Sequence, residues 1–579
     1  MDTTESTQSS ISRRSFLTGI GSAAAIGFAG RSAFGRAGDR RRKLWQFDYS
    51  QVKLTGGPLK TQFDRIHAAY LALNNDSLLK VYRERAGLPA PGAPMGGWYG
   101  PKGFIPGHSL GQYISGLARF ARATGSKPTY DKVRELVDGF AATLGPGGYP
   151  YASKQTASTW PCYVLDKFMI GLLDAYWYGG IKQARQLLPR VIHGAEPYLP
   201  AHVHDRIGVK HPPYDEPYIL PENLFNTCQV TGEKKFFAMA RKYLLNKVYF
   251  DPLADGTNVL PGRHAYSHVM ALSSAAKAYE MLGDPVYLRT LVNTWGMLKR
   301  TQEFASGGWG PNEAFVELRE GKLGDSLITT HDHFETPCGC YAHFKFARYL
   351  LAFTEQARYG DGLERLLYNT VLGAKYPSGT GYFFYYSDYH PLVKKGYYPQ
   401  KWPCCSGTLV QDVADYLIGI YFHSAEGIYV NLFTPSEVRW NRKGVPVKIV
   451  QTTDYPLDGS VELRVEVPAP TEFTVFVRIP GWLESSPRIA VNGKSFEGAS
   501  ERQTFAAIRR KWKQNDTIHV TFPLSARLMP VDAQHSNTVA VMYGPLALVA
   551  VDPPEDIFTK PLPLAHGFKL AYSSYVLRA

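Results

Sequence analysis

The sequence predicts an α + β multidomain chain, an (α/α)6-type helical toroid followed by a C-terminal β-sandwich, and a change of hydrophobic period carries the prediction. From Gln62 to about Tyr421, apolar residues recur at helix spacing in paired segments, each pair followed by a longer loop rich in Gly, Pro, Trp and Tyr. Beyond Ala425 the period is two: Val461, Leu463, Val465 and Val467 alternate with Glu462, Arg464 and Glu466. These changes divide the chain into a leader (1–43), a helical domain (44–424) and a sandwich (425–579).

The leader begins with Ser12-Arg13-Arg14-Ser15-Phe16-Leu17 and a mildly apolar run to about Gly30. That is a twin-arginine export pattern, with an apolar run of about 15 residues, too short to span a bilayer. It predicts export to the periplasm or beyond and no stable membrane insertion. Trp45 to Tyr49 is strand-like; Ile66, Ala69, Tyr70 and Leu73 then set a helical stripe. The Pro- and Gly-rich loop Leu88 to Gly107 leads to His108. Further helices are predicted at Leu110–Ala123, Lys132–Leu144, Tyr163–Tyr178, Ile181–His193, Lys234–Leu245, His268–Leu282, Val286–Thr301, Tyr341–Gln356 and Gly362–Ala374. In the last domain, Phe473 to Ile479 alternates, and Pro480-Gly481 and Asn492-Gly493 mark turns. No cluster of titratable residues lies there, which assigns the chemistry to the helical domain.

Net charge is +14, but the leader holds eight Lys and Arg against three carboxylates, so +9 is spread over more than 500 residues. Charge of that density is no nucleic-acid footprint. Loop aromatics among 13% Phe, Trp and Tyr suit sugars, whose C–H faces pack on rings, and equally suit an ordinary core.

Four of the six cysteines fall in two short segments, Glu335-Thr336-Pro337-Cys338-Gly339-Cys340 and Trp402-Pro403-Cys404-Cys405. Thiolates with a carboxylate or imidazole are ligands for Zn2+, and tandem cysteines on a bent loop can converge on one ion. A disulfide and buried thiols are the competing readings. His331 and His333 are further candidate ligands, whereas isolated Cys162 and Cys228 read as buried thiols.

The ordered set Gly308-Trp309-Gly310-Pro311-Asn312-Glu313-Ala314-Phe315, Glu335-Thr336-Pro337-Cys338, Cys404-Cys405, Val477-Arg478-Ile479-Pro480-Gly481-Trp482 and Val491-Asn492-Gly493 resembles glycoside hydrolase family 127, the β-L-arabinofuranosidase group. The resemblance runs from about Val52 to Val551 and implies a retaining hydrolase acting on a glycan through a zinc-bound cysteine. It implies Cys404 as nucleophile, Glu313 as general acid/base, and Glu335, Cys338, Cys404 and Cys405 as metal ligands. His108, His268 and Tyr385 are similar to residues that hold sugar hydroxyls.

The chain also departs from the family pattern. Pro337 is inserted between the glutamate and Cys338, and Cys340 is a rival ligand. Gln112, Asp166 and Glu222 stand where the family often has histidine. These changes keep open a uronic-acid-directed hydrolase or lyase, and a noncatalytic glycan-binding protein with a structural zinc.

Overall fold

The computed structural model describes residues 40–207, 212–318, 321–330, 337–374, 381–383 and 398–549. Arg13-Arg14 and the rest of 1–39, the candidate ligands His331, His333 and Glu335, and Tyr385 lie outside the described residues.

The helices used below are α1 (Gly57–Leu71), α2 (Asn75–Arg85), α3 (Leu110–Thr124), α4 (Lys127–Thr143), α5 (Pro161–Trp177), α6 (Lys182–Ala195), α7 (Leu220–Thr231), α8 (Lys234–Lys242), α9 (Ala265–Leu282), α10 (Pro285–Thr301), α11 (Pro337–Thr354), α12 (Arg358–Leu366) and α13 (Cys405–Ala414). Six of them close a ring, each packed on the next in the order α3, α5, α7, α9, α11, α13 and back to α3. Outside it, α4, α6, α8, α10 and α12 each pack on the inner helix that precedes them, and α1 backs α13. The first helix therefore completes the last pair.

Sequence separates the two layers. Inner helices such as α3 and α9 are buried almost all round, whereas outer helices such as α4 bury one stripe. Short signals set their ends. Gly125 ends α3 in the left-handed conformation (φ 68°), and the Ser126 side chain then caps α4 by accepting from Thr129 N–H; Gly283 and Asp284 do the same between α9 and α10. Helix α7 is absent from the sequence-based set because Pro221 and Asn223 weaken its pattern, yet Pro221 sits in the first turn, where its missing N–H is harmless.

The strands are β1 (Trp45–Gln46), β2 (Val52–Leu54), β3 (Tyr421–His423), β4 (Gly427–Val430), β5 (Ser436–Arg442), β6 (Val445–Thr453), β7 (Ser460–Glu466), β8 (Thr471–Ile479), β9 (Arg488–Val491), β10 (Lys494–Ser495), β11 (Thr504–Trp512), β12 (Asp516–Thr521), β13 (Ala526–Pro530), β14 (Val539–Tyr543) and β15 (Leu546–Leu548). One sheet runs β1-β3-β4-β8-β11 and the other β10-β9-β12-β7-β6-β5-β2. Two features add to the expected layout. Residues 45–54 leave the helical domain to supply an edge strand to each sheet, β1 on β3 and β2 on β5. Strands β13 to β15 form a separate three-stranded sheet.

The sandwich is locked to the ring by Arg478 of β8, which is fully buried. It donates to Asp361 Oδ1 at 2.5 Å and Glu364 Oε1 at 2.6 Å, both on α12. Trp482 Nε1 donates to Glu364 Oε2 at 2.9 Å. The Val-Arg-Ile-Pro-Gly-Trp run is therefore an interdomain clamp.

Candidate active site and metal centre

The N-terminal ends of the six inner helices meet, and each brings a functional side chain to the meeting point. His108 precedes α3, Tyr163 lies in the first turn of α5, Glu216 precedes α7, His264 immediately precedes α9, Cys338 opens α11, and Cys404 and Cys405 open α13. Helix N-termini carry partial positive charge, which favours thiolates and carboxylates.

Cys338 Sγ lies 3.4 Å from both Cys404 Sγ and Cys405 Sγ, and the tandem pair are 4.0 Å apart. All six cysteines are free thiols, and these spacings exceed an S–S bond of about 2.05 Å. Three sulfurs at tetrahedral corners about 2.3 Å from a zinc ion would be about 3.8 Å apart, so this set fits such an ion. Burial raises the Cys338 and Cys405 thiols well above the usual range, so these sulfurs need a neighbouring cation to ionise. Thr408 Oγ1 is 3.2 Å from Cys338 Sγ. Cys338, not Cys340, joins the pair: two residues apart on a helix, their side chains point to opposite sides. Cys162 and Cys228 are buried away from this group.

His108 is fully buried beside Cys404. Burial brings its pKa down to about 4 against the raising effect of Cys404, so the ring is neutral. Its Nδ1 is 2.8 Å from the Ile105 carbonyl and donates to it.

Glu313 follows Asn312 in a strained turn, both in the left-handed region (φ 59° and 52°). Ala314 forms an antiparallel bridge with His264, and Phe315 N–H donates to the Arg263 carbonyl at 3.0 Å. This stitching sets Glu313 Oε2 3.9 Å from His264 Nε2. His264 Nδ1 is 3.2 Å from Glu216 Oε1, which also pairs with Arg206. Burial opposes ionisation of Glu216, but Arg206 and His264 bring it down to about 2. Burial and Arg206 lower His264, and the two glutamates outweigh them, leaving it raised.

His268 does not reach this group. Its Nε2 is 2.8 Å from Asp205 Oδ1 and its Nδ1 2.9 Å from the His264 carbonyl, so both nitrogens are engaged. Gln112 and Asp166 line a polar cavity on the ring axis, one turn deeper than the sulfurs, while Glu222 is paired there with Lys345 and accepts from Tyr349 at 2.9 Å. The residues that sequence reasoning missed are His264, Glu216, Arg206 and Lys167. One available signal was the polar residue just before each inner helix, and another was Asp166-Lys167 inside the apolar α5.

Residues 51–417 match the GH127 catalytic domain of β-L-arabinofuranosidases, and residues 427–524 match the GH127 middle domain. The chain belongs to glycoside hydrolase family 127. The non-reducing end β-L-arabinofuranosidase of Bifidobacterium longum subsp. longum is 24% identical to this GH127 chain over 318 residues, covering 51% of it and 47% of that relative. The match thus spans about half the length of the curated relative. A GH127 β-L-arabinofuranosidase from Geobacillus stearothermophilus T6 superposes with a TM-score of 0.67 at 19% identity over 86% of each chain. Another GH127 β-arabinofuranosidase gives 0.70 at 19% identity over 87% of this chain and 85% of its own. These similarities establish the toroid-plus-sandwich fold.

Proposed function

We propose that this GH127 protein is a retaining glycoside hydrolase that releases β-linked L-arabinofuranose or a related sugar from glycans. Cys404 is the nucleophile, Glu313 the acid/base, and Cys338, Cys404, Cys405 and Glu335 the ligands of a zinc ion. The observation that carries the reading is the convergence of three sulfurs, within 4.0 Å of one another, at two helix N-termini.

Zinc, when bound, supplies the positive charge that keeps these buried sulfurs as thiolates. Cys404 is the most exposed of the three and attacks the anomeric carbon. Glu313 starts protonated and gives that proton to the departing glycosidic oxygen. The sugar is left on Cys404 as a thioglycoside; Glu313, now ionised, takes a proton from water, whose oxygen displaces the sulfur and restores the starting state. Neutral His108 holds the sugar. His264, held at Nδ1 by Glu216, takes the sugar-side role expected from sequence for His268 and steers Glu313.

Hydrolysis of an aryl β-L-arabinofuranoside by the zinc-loaded protein, Cys404→Ser and Glu313→Ala tests this reading. Turnover abolished by Cys404→Ser supports it. Zinc-loaded protein that retains a glycan but cleaves no member of a glycoside panel would move the account to a binding role. Export is part of the proposal: Arg13→Lys with Arg14→Lys should leave the protein in the cytoplasmic fraction.

A further inference from the structure

Two buried charged side chains beside the sulfurs have hydrogen-bonding capacity that the protein leaves unused. Glu216 is 1% exposed; its Oε1 is held by Arg206 and His264, whereas Oε2 is buried with no hydrogen-bond partner. Lys167, 2% exposed, donates to Tyr266 OH at 3.3 Å, lies 3.7 Å above the Tyr163 ring, and is 4.0 Å from Asp166. An ammonium has three donors; with one on Tyr266 and one over the Tyr163 ring, this leaves one for another acceptor.

Lys167 lies between Tyr163 and Tyr266, at the edge of the axial cavity that it lines with Gln112 and Asp166. Tyr163 and Tyr266, which frame it, lie in the first turn of α5 and two residues after His264, at the helix N-termini that meet at the site. Glu216 is thus one histidine away from Glu313, and Lys167 is packed against the Tyr163 ring at the same end of the helices. A buried polar atom without a partner costs free energy until a ligand satisfies it.

We propose that Glu216 and Lys167 are specificity-determining residues that hold neighbouring hydroxyls of the bound sugar, Glu216 accepting from one and Lys167 donating to the next. This rests on the glycosidase reading above and narrows its substrate. An ionised carboxylate oxygen welcomes an O–H and repels another carboxylate. The sugar read at this edge is neutral, with two adjacent free hydroxyls, and is not a uronic acid presenting its carboxylate here.

The test is a set of kinetic cycles on zinc-loaded protein, pairing an aryl β-L-arabinofuranoside and its monodeoxy analogues with the parent, Glu216→Gln and Lys167→Met. A site built around a substrate hydroxyl discriminates strongly against its loss, so the parent should lose at least ~100-fold in kcat/KM on two adjacent deoxy positions. Glu216→Gln should lose a similar factor on the full substrate and little more on one of those analogues; Lys167→Met should couple in the same way to the other. Unchanged zinc content and a cooperative melting transition that stays above the assay temperature separate this from a folding defect, and if Glu216→Gln does not fold, the Lys167→Met cycle decides. Losses that multiply independently at every deoxy position overturn the proposal while leaving the hydrolase reading intact. No turnover of any glycoside by zinc-loaded parent overturns the hydrolase reading, and both assignments with it.

Discussion

Replacing Arg478 with Met removes the cation that ties the sandwich to the ring. Breaking a buried ion pair from one side costs about 3–5 kcal/mol, because the partner is left charged and uncompensated. The lower end applies here. Glu364 keeps Tyr455 OH at 2.6 Å and Trp482 Nε1 at 2.9 Å, and Asp361 keeps the Gly481 N–H at 3.0 Å. With an unfolding entropy of about 2.1 cal/mol/K per residue, a folded body of about 500 residues has roughly 1 kcal/mol/K, so ~3 kcal/mol lowers the melting temperature by about 3 °C. The effect should also depend on pH. Burial, reinforced by the Glu364 charge, holds Asp361 up at about 6 even beside Arg478. Without the guanidinium, Asp361 binds its proton more tightly still in the folded chain than in the unfolded one. Its penalty is then full above the folded pKa and is relieved as pH falls toward the unfolded carboxylate range near 4. Thermal scans at one heating rate should show a gap of about 3 °C at pH 8 that narrows by pH 5, and Glu364→Gln added to Arg478→Met should recover part of it. A gap under about 0.5 °C at pH 8, or one that widens on acidification, would refute the reasoning.

Glu313→Ala should lower kcat by ~10²- to 10⁴-fold, more for alkyl than for nitrophenyl leaving groups, since a poor leaving group depends most on the acid; equal losses for both would remove the acid role. Cys338→Ser should lose zinc on dialysis while Cys340→Ser keeps it, as read by elemental analysis, because Cys338 alone of the two faces the tandem pair. Glu216 is depressed to about 2, so it contributes stability that is full above its unfolded value near 4.3 and is lost as pH falls toward 2. Urea titrations should therefore find Glu216→Gln less stable than the parent by up to about 3 kcal/mol at pH 6, with the difference shrinking by pH 3.

The layered fold was legible because its periodicities are strong. Outer helices bury one stripe, and β7 alternates residue by residue. Pairing between distant segments was not legible: nothing local in Trp45-Gln46 says that it completes a sheet with β3, and α7 hides behind a first-turn proline. At the site, Cys338, Cys404, Cys405 and Glu313 stand out because their residue types carry chemistry. His264 and His268 are one helical turn apart and chemically alike, and the assignment turned on which ring meets a carboxylate across the pocket. His264 does so only because the strained Asn312-Glu313 turn is stitched to its backbone, a contact across nearly fifty residues that local pattern does not encode.

The most direct test of the account is where the sugar goes. Zinc-loaded protein should be mixed with an activated β-L-arabinofuranoside, quenched in acid within one turnover, digested and read by mass spectrometry. The account predicts one pentosyl group on Cys404, absent from Cys404→Ser. An adduct on Glu313 or another carboxylate, or steady turnover by Cys404→Ser, would contradict it.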